Sequence, residues 1–175
     1  MRRLHLSDLE PAAFWELADL LLADAARLPE SSPSARRPAD PALLAVVQRE
    51  AAREIARDPR ARGGVYVIQG RDGSPPPLVA GLPRVEAGTR SGDHPMRVFL
   101  LGPRGAGAPD HPLVTPVYLE GDDRLASHDV MLFLGENAAY GLLQRRDGNV
   151  FHTSDVPLVD LLVSRLQAAY DLQPV

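Results

Sequence analysis

The chain has 175 residues, 45% of them apolar, a net charge of −4 and a pI near 5.7, which bounds it to one soluble globular domain, with or without a helical extension. Its acidic balance excludes a general electrostatic attraction to nucleic acid or anionic lipid. Cysteine is absent and all 19 basic residues are arginine, which rules out disulfides, thiolate metal sites, Walker-type phosphate loops and Schiff-base chemistry.

The first eleven residues, MRRLHLSDLEP, carry basic residues but no apolar run before Asp8, unlike a signal peptide, and no stretch reaches the ~18 apolar residues of a membrane span. Cytoplasmic residence is therefore expected, and the Ala, Arg, Pro and Gly bias fits a GC-rich, bacterial-type genome. A helix is predicted from Ser7 to Leu28, with Ser7 and Glu10 at capping-box spacing and Pro11 in the first turn. Leu9, Phe14, Leu17, Leu20, Leu21 and Leu28 recur on one face, with Trp15 beside it. Residues 1–28 thus form an amino-terminal helix and 29–40 (PESSPSARRPAD) a linker rich in Pro and Ser, leaving 41–175 as a single α/β domain.

Asp40-Pro41 starts a second helix to about Arg57, with Asp as N-cap and Pro at the first position. Leu43, Leu44, Val46, Val47, Ala51 and Ile55 face inward, while Glu50–Arg53 and Glu54–Arg57 are solvated pairs three apart. Extended segments follow at Val65–Gln69, Leu78–Ala80 (a short edge strand), Met96–Leu101, Val114–Leu119, Val130–Leu134 and Tyr140–Arg146. A buried helix begins near Ser154 or Asp155, carrying Leu158, Leu162, Leu166 and Ala169 along one side. The expected fold is α/β (or α+β): a mixed sheet of five to six strands, two amino-terminal helices and one carboxyl-terminal helix.

Three acid–histidine neighbours stand out: Asp93-His94, Asp110-His111 and His128-Asp129, with His152 and Asp155 further on. Helical ligand spacing such as H-E-x-x-H is missing and two pairs precede Pro, so turn roles are expected and neither metal nor cofactor. Arg60, Arg62, Arg145 and Arg146 would grip an anion bidentately if they shared one sheet edge; ordinary solvation is the competing expectation.

The stretch SHDVMLFLGENAAYGLLQRRDGNVFHTSDVPLVDLLVSRLQAAYDL resembles the closing strand–strand–helix unit of phospholipase-D-like domains, and MRVFLLG resembles the strand preceding their motif. The resemblance covers about Gly64 to Leu172. It places His128 at the position of the motif histidine, Val130 where active members carry lysine, and Asn137 where a phosphate-contacting asparagine would lie. It implies a ligand site of His128, Asn137, Arg145 and Arg146 on a non-catalytic regulatory or interaction module. Its partner would be another protein or a second copy forming a homodimer. Two alternatives stand beside it: a hydrolase using His128 or His152 with Asp129 and possible metal assistance, and an adaptor that binds a partner through the amino-terminal helix.

Overall fold

The computed structural model describes residues 13–25, 41–58, 61–68, 76–84, 96–103, 109–145 and 148–172. In chain order they form α1 (Phe14–Ala25), α2 (Pro41–Arg57), β1 (Gly63–Ile68), α3 (Pro77–Ala80), β2 (Met96–Gly102), β3 (Val114–Tyr118), α4 (Arg124–Ser127), β4 (His128–Gly135), β5 (Ala139–Arg145), β6 (Val150–Thr153) and α5 (Val156–Tyr170).

The strands make one six-stranded mixed sheet in the order β3-β2-β1-β4-β5-β6. β1, β2 and β3 run parallel, whereas β4, β5 and β6 are joined by antiparallel ladders. Val65, Tyr66, Val67 and Ile68 of β1 are all at most 1% exposed, as expected of an apolar strand covered on both faces. One consequence of the strand directions bears on function. The carboxyl ends of β1, β2 and β3 share one end of the sheet with the amino end of β4 and the carboxyl end of β5, since Ile68 pairs with Val130 and His128 with Arg145. In open parallel α/β sheets that end commonly hosts ligands; here the chain's own Trp15, Asp122, Arg124 and Tyr170 gather there.

The two edges differ. Leu119 N–H donates to the Gly102 carbonyl at 2.9 Å, so alternate β3 residues face β2 and Pro116 faces outward, where it removes a donor from the edge. On the other side Arg145 N–H donates to the Asn149 carbonyl at 2.8 Å, which turns the backbone groups of Val150 and His152 away from β5.

Side chains alternate across the sheet. Val130 and Leu132 enter one core with α1 and α5; Met131 and Phe133 enter the other with α2 and α3. The start of α5 follows its sequence: the Asp155 carboxylate accepts from Leu158 N–H at 2.9 Å and Pro157 sits in the first turn. Helix α2 spans the expected range, with Glu50–Arg53 and Glu54–Arg57 paired on its solvent side.

Several expectations need correction. Helix α1, expected to stand outside the 41–175 domain, packs as a wall of its core: Phe14, Leu17, Ala18 and Leu22 are at most 1% exposed, and Trp15 is buried with them. Seven buried residues place α1 in the same cooperative unit as the sheet, since each large apolar side chain contributes about 1.5–3 kcal/mol on burial. Leu20 and Val46, expected to face inward, are instead 45% and 46% exposed. Leu78–Ala80 is helical, because Pro77 fits a first helical turn and the buried Gln48 Oε1 accepts from Leu78 N–H at 3.4 Å. The sixth strand is β6, in a stretch to which the sequence assigns no element, and α4 likewise has no counterpart there. The Asp40 cap, Asp93-His94, Arg60, Arg146 and the 29–40 linker lie outside the described residues.

Candidate functional site

The segment between β3 and β4 builds the polar centre at the carboxyl end of the parallel strands. Asp122 stops the chain after β3 and accepts three bonds from Arg124: from its backbone N–H at 3.1 Å, from Nε at 2.9 Å and from Nη2 at 3.2 Å. The paired Arg124 guanidinium holds the Asp122 carboxyl below the usual carboxylate range. Tyr170, from the last turn of α5, donates its hydroxyl to Asp122 Oδ2 at 2.8 Å and accepts the Trp15 indole N–H at 2.7 Å. Burial and that bond to a carboxylate push the Tyr170 phenol well above its ordinary value, so it stays a donor.

Four elements are thereby tied together, and His128 sits beneath them. The Trp15 ring lies 5.0 Å from the imidazole, and the Arg124 guanidinium stacks over the indole at 5.3 Å. Nδ1 of His128 meets Ser127 Oγ at 3.0 Å and the Arg124 carbonyl at 3.1 Å. Nε2 is fully buried and makes no hydrogen bond; the nearest carboxylate oxygen, Asp19 Oδ1 of α1, is 3.6 Å away. His128 is only 7% exposed, and its Nε2 is closed off from solvent while α1 is docked. The position two residues on, Val130, is 1% exposed within the apolar core shared with α1 and α5.

The expected site residues do not converge. Asp129 is adjacent to His128 in sequence, but the alternation of a strand sends it to the opposite face. His152 is opposite Leu142 in the ladder and stacks on Tyr140 at 6.3 Å on the α2 side, across the sheet from His128. Asn137 follows the far end of β4, about 25 Å from His128 at the rise of an extended strand. Arg145 is the direct ladder partner of His128, whereas Arg62 precedes β1 at the opposite end of the sheet, so these two arginines cannot grip one anion. His111 has the expected turn role, its Nδ1 accepting from Leu113 N–H at 3.2 Å. Among the described residues no group of three His, Asp or Glu side chains could hold a metal.

The residues that sequence reasoning missed are Trp15, Asp19, Asp122, Arg124 and Tyr170. Asp122 and Arg124 pair locally, two residues apart, but only the docking of α1 and α5 brings Trp15, Asp19 and Tyr170 to them.

Two concavities lie apart from this centre. An apolar groove of about 290 Å³ runs between α2 and the β4–β5 hairpin, walled by Val46, Ala51, Phe133 and Tyr140. A more polar cleft of about 390 Å³ opens at the amino end of β1, between the end of β4 and α5. Comparison with family models, with curated proteins and with solved structures finds no match to the chain.

Proposed function

We propose that the chain is a non-catalytic binding module of the cytoplasm, a phospholipase-D-like domain without phosphodiester chemistry. The observation that carries this reading is the enclosure of His128. Its ring is capped by Trp15, its nitrogens face the chain's own atoms, and Val130, which the resemblance sets against the motif lysine, is buried in the core. Phosphoryl transfer depends on a preorganised cation at the transferring group, and a buried Val130 supplies none. The test is turnover of bis(p-nitrophenyl) phosphate and of phosphatidylcholine by the intact chain. No release above the blank is expected; release that disappears in His128→Asn would overturn the reading.

The partner that fits best is a second copy. The outward backbone groups of Val150 and His152 offer a short edge for antiparallel strand addition, and among the described residues no strand lies beyond β6, whereas Pro116 blunts the opposite edge. Light scattering should show a dimer that His152→Pro converts to monomer. A wild-type monomer at about 100 μM would exclude it, the upper reach of useful weak affinities. No helix among the described residues is long and apolar enough to cross a membrane.

A further inference from the structure

Building on the binding-module reading, we propose that the cleft at the amino end of β1 takes a small zwitterion of the α-amino-acid type. Its volume of about 390 Å³ is the size of a pocket for one small molecule. Charges of both signs line it: Arg62 just before β1, Glu136 in the turn after β4, and Asp160 on α5. Among the described residues none of these three is in an ion pair, although all three line the same opening. Charges that line one concavity without neutralising each other are matched by a ligand carrying both signs. A guanidinium takes a carboxylate through two parallel N–H···O bonds, and carboxylates, which only accept, suit the three donors of an ammonium.

The floor of the cleft is built for a polar guest. Tyr66 is 1% exposed, and its hydroxyl accepts from Gln167 Nε2 at 2.6 Å, leaving its own proton for an acceptor in the cleft. Burial pushes the Tyr66 phenol upward, which keeps that proton in place. Asp160, Ser164 and Gln167 recur at helical spacing, so α5 presents a polar stripe here between its apolar contacts Val159 and Leu166. Gly64 keeps room beside the Tyr66 hydroxyl, since a Cβ there would lie 2.9 Å from its oxygen.

Titration calorimetry of the intact chain against the twenty L-α-amino acids, each singly, tests the assignment. For any that binds, its decarboxylated amine and its 2-hydroxy acid are titrated next, and the binder is repeated on Arg62→Met and Asp160→Asn. The expected result is binding by one or a few amino acids, weakened at least about tenfold by loss of either ligand charge and by either substitution. Both substituted residues are exposed, so the variants should fold. No binding by any amino acid, equal binding of the one-charge analogues, or indifference to both substitutions would overturn it. Phosphodiester turnover would instead defeat the binding-module reading, whatever the amino acids do.

Discussion

Trp15 donates its indole N–H to the hydroxyl of Tyr170 at 2.7 Å, joining two residues 155 positions apart and closing α1 onto α5. The bond continues to Asp122 and Arg124, and the same indole covers His128. The first prediction concerns this clasp. Trp15→Ala removes a buried aromatic and leaves the Tyr170 hydroxyl short of one donor, which should cost about 3–5 kcal/mol. Because α1 shares one core with the sheet, urea unfolding should remain a single transition with a lower midpoint. A separate early transition for α1, with the sheet midpoint unchanged, would contradict that coupling.

Acid should dissolve part of the same network. The Asp122 carboxyl titrates below its unfolded value because Arg124 bonds to the ionised form. Its contribution is therefore fully present above about pH 4, the unfolded carboxylate value, and is lost as pH falls through the lower folded value. Asp122→Asn lacks this contribution at every pH. The stability gap between wild type and variant should be constant from about pH 5 to 7 and shrink below pH 4. A gap that holds steady into acid would show that the carboxylate charge does no work here.

How much of this was legible in the sequence depends on the range over which each feature is determined. Helix α2 was readable because its Asp-Pro start and its 3.6-residue apolar period are local. The buried strands β1, β2 and β4 were readable as apolar runs, and Asp155 was readable as a cap. Strand β6 was not: Val150–Thr153 is short, half-buried throughout, and becomes a strand because β5 supplies its partner. The site was nearly invisible. His128 and Asn137 lie close in sequence but at opposite ends of one strand, and Asp129 is a neighbour that points away. Of what surrounds His128, only the Arg124 carbonyl is local, four residues upstream; Trp15 and Asp19 arrive only when α1 docks on the sheet.

Alkali provides the opposite test at Tyr170. Its folded pKa is raised well above the ordinary phenol value by burial and by the bond to Asp122. The stability it contributes is therefore complete below about pH 10 and is lost as pH rises from there toward the folded value. Tyr170→Phe gives up two hydrogen bonds, about 1–3 kcal/mol at neutral pH, but has no phenol to ionise. Its thermal midpoint should fall less steeply than wild type above pH 10. Parallel curves would mean that Tyr170 ionises as readily in the folded protein as in the unfolded chain.

The last prediction separates packing from function at His128. Nε2 is buried without a hydrogen bond, a state that costs about 1–3 kcal/mol when no partner compensates. His128→Leu removes that atom while keeping most of the volume against Trp15, and it gives up the Nδ1 contacts to Ser127 and Arg124. These effects oppose each other, so stability should stay within about 1 kcal/mol of wild type by urea titration. His128→Ala, by contrast, opens space beneath the indole and should lose about 2 kcal/mol or more. A large loss in the leucine variant would show that the imidazole is anchored more strongly than its geometry indicates, through the 3.6 Å approach of Asp19. Replacing Asp19 by Asn in the same background decides this: if the carboxylate is the anchor, Asp19→Asn should cost stability with His128 present and nothing once leucine stands there.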